Sequence, residues 1–443
     1  MFPVRPSRSE LIAVHADLLH FRADPGAQGD AAAYEYLPGG LLVVDQGKTV
    51  QIGPYDQVEP SLPEHALMLD YSGCLCVPGF VDTHTHFPQT DMIAAPGANL
   101  LDWLERYTFP HEARFADERH AAAVADFFLD ELLSNGTTTA MVFGSVHGQA
   151  AAAFFSAAQR RALRMLAGKV LMDRNCPENL RDAPGGGYGE TAALIEIWHG
   201  RDRLEYAITP RFAATSSVAQ MRALAELAAD YPDVPIQSHV AENRAEVAWV
   251  AQLFPGARSY LDVYDQYGLL RPRAVYAHCI HLDAADRARM AAAGAAAAFC
   301  PSSNLFLGSG LFDLAAMRAA GVHIGLGTDV GAGTSFSMLR TMADAYKVTQ
   351  LQGQTLRALQ AWYLATLGGA RALGLQDRIG SFDSGREADF VVLDPRATPL
   401  LARRMEQATS LEERLFILMT LGDDRCVRAT HILGAPAYLR EAV

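Results

Sequence analysis

The sequence predicts an α/β chain: a (β/α)8 barrel of the TIM type, joined to a small β-sandwich domain built from both chain termini. Three observations carry this. Eight short apolar, β-rich runs alternate with helical stretches through the middle of the chain. Those runs are near-continuously apolar, the mark of a parallel sheet covered on both faces. Ionisable residues gather at the C-terminal ends of several different runs, which is where a barrel collects its active site. A doubly wound open sheet is the competing architecture, and the third observation favours the barrel.

The elements follow in order. Before about residue 76, residues 40–44, 49–52 and 66–71 read as strands with turn residues between them. The barrel runs are 77–83, 137–143, 164–172, 204–209, 235–238, 274–277, 295–299 and 322–327. Amphipathic helices are expected at 119–133, 217–230, 244–253 and 284–293, where apolar residues recur at helical spacing. The seventh run is alanine-rich, and alanine favours helix intrinsically. After about residue 376, residues 380–382, 389–393 and 428–433 read as further strands. The flanking pieces are too small to stand alone, so they are expected to pair into one domain. This divides the chain into 1–75, 76–375 and 376–443. The glycine-rich stretch 185–189 reads as a turn. No phosphate-binding G-x-x-x-x-G-K-[ST] occurs, and Gly325-Leu326-Gly327 meets Val330 where a dinucleotide fingerprint needs glycine.

Composition narrows the function. The chain has 443 residues, with 37 basic against 50 acidic side chains and a net charge of −13. Half of the residues are apolar and a fifth are charged, as in a globular protein with a large core. The acidic balance argues against a nucleic-acid polymer as partner, because such binding needs basic surface. It does not speak against a small purine or pyrimidine. No membrane association is expected: the apolar run at 290–299 is far short of the ~20 residues a spanning helix needs. Near the N-terminus, Arg5 and Arg8 are followed by Glu10, His15 and Asp17 where a signal peptide requires an apolar run. The six cysteines, Cys74, Cys76, Cys176, Cys279, Cys300 and Cys426, are sparse and read as reduced thiols of a cytoplasmic protein. Cys74 and Cys76 have no second pair at zinc-site spacing and read as buried small hydrophobes.

The chemistry concentrates at strand ends. In Phe80-Val81-Asp82-Thr83-His84-Thr85-His86, a His-x-His on a strand puts both imidazoles on one side, because side chains repeat every two residues. The fifth run ends at His239, the sixth at His278 and the eighth at Asp329. These positions are remote in sequence but converge on one mouth in a barrel. Four histidines and an aspartate there suit a divalent transition metal, since imidazole favours zinc or iron. Glu242 follows His239 as H-x-x-E, placed to shuttle protons beside such a metal. Its alternative reading is a helix N-terminal carboxylate favoured by the macrodipole. Glu246 reads as a solvated helix face. His281 competes with His278 but lies beyond the strand, and His111 and His147 are lesser candidates. His15, His20, His65, His120, His199, His323 and His431 read as structural or exposed.

These motifs carry a resemblance. P-G-F-V-D-T-H-T-H at 78–86, S-H-V-A-E-N at 238–243, A-H at 277–278 and G-L-G-T-D at 325–329 resemble the amidohydrolase superfamily. The tail at 380–392 resembles its closing strand motif, so the likeness covers nearly the whole chain. More narrowly, L-D-W-L-E-R-Y-T-F-P at 101–110, T-P-R-F at 209–212, C-P-S-S-N-L at 300–305 and G-A-G-T-S-F-S-M at 331–338 resemble the branch that deaminates guanine. The resemblance implies one Zn2+ per subunit, with Fe2+ as the alternative, held by His84, His86, His239 and Asp329. It places His278 beside the reacting water, Gln89, Arg211 and Phe212 against the purine, and Trp103 in a lid. It implies hydrolysis of guanine to xanthine and ammonia in purine catabolism, by a homodimer, with Glu242, His278 and Asp329 catalytic. The fourth strand ends in Thr209-Pro210-Arg211 where binuclear relatives carry a bridging lysine, which fits a single metal. The H-x-E…P-C-x-x-C pattern of the other nucleobase-deaminase fold is absent. Two alternatives stand beside this reading: a related deaminase acting on 8-oxoguanine, a pterin, an aminotriazine or cytosine, and a catalytically inactive scaffold of the same fold.

Overall fold

The computed structural model describes residues 11–97, 99–183 and 186–441. The expectations placed on Arg5, Arg8, Glu10 and Gly185 lie outside the described residues.

The eight apolar runs form parallel strands, in chain order β1 Phe80–His86, β2 Thr137–Phe143, β3 Arg164–Gly168, β4 Leu204–Tyr206, β5 Ile236–Val240, β6 Ala274–His278, β7 Ala296–Phe299 and β8 His323–Leu326. β1 to β4 pair in sequence, as do β5 to β8. The two halves meet at both seams. On one side Ile208 bridges Ile236 and Phe212 bridges His239. On the other, Thr83 Oγ1 donates to the Leu326 carbonyl at 2.9 Å and the Asp329 N–H to the His84 carbonyl at 2.9 Å. Helices separate the strands, among them Glu118–Ser134, Gly148–Arg160, Val218–Asp230 and Arg244–Leu253. This is a TIM-barrel-like α/β fold.

Burial explains the continuous apolar runs. Val81, Met141, Leu166, Val275, Ala277, Ala296 and Ala298 pack together in an inner cluster. Their strand neighbours Ala140, Val142, Met165, Ala167, Tyr276 and Ala297 belong to the outer layer beneath the helices. With both faces covered, an alternating polar pattern has no use. The same burial holds the alanine-rich β7 as a strand against its helical propensity, since tertiary packing overrides a preference of under ~1 kcal/mol per residue. The third and fourth runs are each interrupted, with Val170–Leu171 pairing with Thr209–Pro210 in a separate ribbon. At the crossover a Cβ on Gly168 would meet the Ala207 carbonyl oxygen at 1.9 Å, so only glycine permits the approach.

Strands from both ends of the chain join one seven-stranded sheet. Ile12–Phe21, Tyr34–Asp45, Lys48–Pro54 and Leu67–Pro78 come from the N-terminal side, and Phe390–Leu393, Val427–Ile432 and Ala435–Leu439 from the C-terminal side. Its interior strand Ile12–Phe21, between Leu67–Pro78 and Tyr34–Asp45, was not anticipated, because His15, Asp17 and His20 break up the apolar pattern. His20 is nonetheless buried against Phe382 and bonded to Glu35. Residues 380–382 are not a strand as expected. Gly380 adopts φ +86°, Ser381 Oγ donates to Asp383, and the Phe382 N–H donates to His20. The turn expected at 185–189 is also corrected: a helix, Gly186–Trp198, runs through most of it. Burial of Leu194, Ile195 and Trp198 outweighs the cost of its glycines.

The sheet is tied to the barrel by charge. Arg164 and Arg203, both nearly buried, converge on Glu387, and Arg203 also pairs with Asp389. The tail motif at 385–389 is thus an ion-pairing device. All six cysteines are free. Cys76 is fully buried and Cys74 partly so. Among the described residues no helix is long and apolar enough to cross a membrane.

Candidate active site

Three strand ends turn away from the barrel in the same unusual way. After β5, β6 and β8 the chain enters the left-handed region at non-glycine residues: Ala241 at φ +50°, His278 at +70°, Cys279 at +53° and Asp329 at +51°. Such backbone costs of order 1–3 kcal/mol per residue and clusters at functional sites. Here it aims His278, Glu242 and Asp329 at one point.

At that point His84, His86, His239 and Asp329 bring one ligand-type atom each within 4.8 Å of one another. His86 Nε2 lies 3.2 Å from both His84 Nε2 and His239 Nε2. Asp329 Oδ1 lies 3.2 Å from His84 Nε2 and 3.3 Å from His86 Nε2. These separations match the edges of a tetrahedron whose centre lies about 2.0 Å from each corner, the distance of nitrogen and oxygen ligands from zinc. Protonation supports the fit. His239 Nδ1 donates to the Arg211 carbonyl at 2.6 Å, which leaves its Nε2 as a lone pair facing the cluster. Burial drives His86 down to about 3 and His239 well below the ordinary histidine range, so both stay neutral. Burial alone would raise Asp329, but the His84 charge and the histidine hydrogen bonds hold its carboxyl well below the usual range. Three imidazole nitrogens and a carboxylate oxygen gathered at these separations are the ligand types a divalent metal takes. The donor set therefore fits a divalent metal.

Two groups flank the cluster without joining it. His278 Nδ1 donates to Asn304 Oδ1 at 2.9 Å, so its Nε2 faces Glu242 Oε2 at 3.4 Å and Asp329 Oδ2 at 3.8 Å. Glu242 is buried, and burial together with the Asp329 charge pushes its carboxyl up to about 8. A hydrogen bond from Ser309 at 2.9 Å opposes that rise. Glu242 thus carries a proton near neutrality. Cys300 also approaches His278 and Asp329, but burial raises its thiol well above its ordinary range.

A cavity opens over this cluster. Of the ten site residues expected from sequence, nine line it: His86, Gln89, Trp103, Arg211, Phe212, His239, Glu242, His278 and Asp329. His84 reaches the same cluster through its Nε2 without lining the cavity. Trp103 is pinned by its indole N–H to the Ala95 carbonyl at 3.0 Å. It ends a short helix, Leu100–Trp103, that continues through a π-helical turn, Leu104–Thr108, into the helix Phe109–Ala113. π-helical turns occur often at functional sites. Of the lesser candidates, His281 bonds the Ser309 carbonyl and His111 the Tyr107 carbonyl, and neither lines the cavity.

Sequence reasoning misread one acid and missed another. Glu246 is not solvated; it is 1% exposed. Its Oε2 accepts the backbone N–H groups of Glu242 and Asn243, and its Oε1 accepts the Tyr260 hydroxyl. Burial, then the charge of Glu242, pushes it up to about 7. Glu112, fully buried, bridges Arg211 and Gln89. Its only sequence signal is an acid two residues past the aromatic motif at 101–110.

The barrel, the buried donor cluster at its mouth and the proton-holding glutamate beside it define a metal-dependent hydrolase. The amidohydrolase family model matches residues 75–436, and the chain belongs to that family. Within it, the similarities point to one branch. A guanine deaminase of Escherichia coli (strain K12) is 50% identical over 410 residues, 93% of each chain. The solved structure of E. coli guanine deaminase matches with a TM-score of 0.95 at 48% identity, over 97% of this chain and 100% of that one. A guanine deaminase of C. acetobutylicum, solved with guanine bound in its active site, matches with a TM-score of 0.87 at 27% identity, again over 97% and 100%.

Proposed function

We propose that this chain removes the 2-amino group of guanine by hydrolysis, giving xanthine and ammonia, as a step of purine catabolism. The observation that carries this is the cavity itself. Metal-type donors and a protonated glutamate line it together with an arginine, a glutamine and two aromatic rings. The similarity to guanine deaminases over nearly the whole chain supports the choice of substrate.

His84, His86, His239 and Asp329 would hold one Zn2+ per subunit, with Fe2+ the alternative that the same ligands accommodate. A cation there supplies Lewis-acid activation of water at neutral pH. The remaining work falls to the chain's own groups. His278 and Asp329 orient the attacking water and take up its proton. Glu242 protonates N3 as C2 becomes tetrahedral, so charge does not build on the ring. The ionised Glu242 then takes the proton of the new C2 hydroxyl and passes it to the departing amine, which leaves as ammonia in place of amide anion, and the proton held by His278 and Asp329 restores Glu242 to its protonated form. One C–O bond forms at C2 and one C–N bond breaks. Arg211 and Gln89 hydrogen-bond the purine edge, while Phe212 and Trp103 cover its faces.

The reading includes an organisation: a (β/α)8 barrel over residues 76–375 and a sandwich-like β domain from 1–75 and 376–443. The sheet shared between both ends of the chain supports it. We take the working form as a cytoplasmic homodimer, supported by the free thiols and by the family resemblance. The test is elemental analysis of the purified protein together with ultraviolet detection of xanthine from guanine. Near-stoichiometric zinc or iron with xanthine formation supports the reading. Absence of metal, with no activity after zinc addition, supports an inactive scaffold instead.

A further inference from the structure

We propose that Glu112 fixes Gln89 and Arg211 so that they present N–H donors to the purine edge, and so selects a purine with an oxygen at C6; this rests on the guanine reading above. Glu112 comes from the helix Phe109–Ala113, on the lid side, and is fully buried. Its Oε2 accepts from Arg211 Nη1 at 2.6 Å and its Oε1 from Gln89 Nε2 at 3.1 Å. On the other side of the amide, Gln89 Oε1 accepts the Gly331 backbone N–H at 3.2 Å.

These contacts settle the orientation of Gln89. An ionised carboxylate only accepts, so the NH2 group must face Glu112. A backbone N–H only donates, so the carbonyl oxygen must face Gly331. Glutamine is normally ambiguous, able to present either a donor or an acceptor. Here its oxygen is turned to the backbone, with one lone pair used by Gly331, and a second N–H is left for a ligand. Arg211 has donors alone. The two side chains that meet the purine edge therefore present N–H groups to it. Guanine answers them with acceptors at O6 and N7. A 6-amino purine presents an N–H against an N–H and leaves a buried donor unpaired. Glu112 also neutralises Arg211, which is 2% exposed. Because the carboxylate sits on the lid-side helix, the pocket's selectivity depends on the seating of that helix.

Glu112→Gln tests this with almost no change in volume. The new amide cannot accept from both Gln89 and Arg211, so Gln89 has no fixed orientation and regains an acceptor for the ligand. The metal-loaded wild type and variant are assayed on guanine and on 2,6-diaminopurine, which carries the same 2-amino group. Binding of hypoxanthine and adenine is measured in parallel by calorimetry. The wild type should prefer each 6-oxo ligand by about a hundredfold or more, within the range that unpaired buried donors provide. In the variant that preference should shrink at least about tenfold. KM for guanine should rise while kcat changes little, because Glu242 and His278 are untouched. A merely structural role would weaken both ligands alike, and an unchanged ratio overturns the proposal. If E112Q does not accumulate as folded protein, E112D carries the test, since its shorter carboxylate cannot reach both partners. Equal wild-type binding of hypoxanthine and adenine overturns the proposal with no variant at all. Absence of guanine turnover beside a strong hypoxanthine preference overturns the guanine reading instead and leaves the role of Glu112 standing.

Discussion

Glu242→Gln should make the protein nearly inactive and, when stripped of metal, more stable at alkaline pH. The Glu242 carboxyl is raised by burial from 4.5 to about 8. Its folded form holds a proton that the unfolded chain has released. The stability tied to that proton is fully present below pH 4.5 and is lost as pH rises through 8. At 1.36 kcal/mol per pH unit, the loss reaches about 5 kcal/mol above pH 8. Glutamine is neutral throughout and escapes it. Glu246 acts in the same direction, since the Glu242 charge helps to push it up to about 7 and that charge is gone in the variant. For a chain of this length, with an unfolding entropy of about 2.1 cal/mol/K per residue, 5 kcal/mol corresponds to about 5 °C in Tm. The assay is thermal melting of wild type and E242Q between pH 5 and 9 after chelation, so that no bound cation competes for the carboxylate. The two should melt together near pH 5 and diverge to about 5 °C above pH 8, with the variant higher. Turnover of the metal-loaded variant should fall by about 10²–10⁴, the usual contribution of a positioned acid–base group. A Tm difference that does not grow with pH would refute the burial argument, and near-normal kcat would refute the proton shuttle.

Three further outcomes follow from the same geometry. Arg211→Ala should raise KM for guanine with metal content unchanged; it also strands the Glu112 carboxylate in the interior, at a cost of about 3–5 kcal/mol visible in melting. An unaffected kcat/KM would remove Arg211 from the pocket. Asp329→Asn should lose metal by elemental analysis and fail to recover activity on zinc addition, because the amide brings no negative charge to the cation; retention of a full metal complement would contradict its place among the ligands. Glu387→Ala, far from the cavity, should cost about 3–5 kcal/mol by leaving Arg164 and Arg203 short of a buried partner, while kcat stays at the wild-type value.

The legible part of this protein is the part governed by short-range periodicity. His84 and His86 share a face because strands repeat every two residues, and His239, His278 and Asp329 each end an apolar run. Those features are local, and the barrel geometry then brings them together. Glu112 was invisible for the opposite reason: its partners lie 23 and 99 residues away, and nothing near it in sequence names them. Glu246 was misread because its position relative to Arg244–Leu253 resembles an exposed helix face, whereas its carboxylate turns back to cap that helix and is enclosed by Tyr260. The strand Ile12–Phe21 was obscured by polar residues that the sheet satisfies with partners such as Glu35 for His20 and Tyr36 for Asp17. Residues 380–382, Gly-Ser-Phe, offer one apolar side chain among turn residues, too little to set a strand; the positive φ of Gly380 is a backbone fact that the pattern does not carry.

The most direct measurement is kcat/KM from ammonia release by the metal-loaded protein over guanine, 8-oxoguanine, a pterin, an aminotriazine and cytosine. Guanine should be turned over most efficiently, with xanthine as the product. A higher kcat/KM on any other member of the panel would contradict the account.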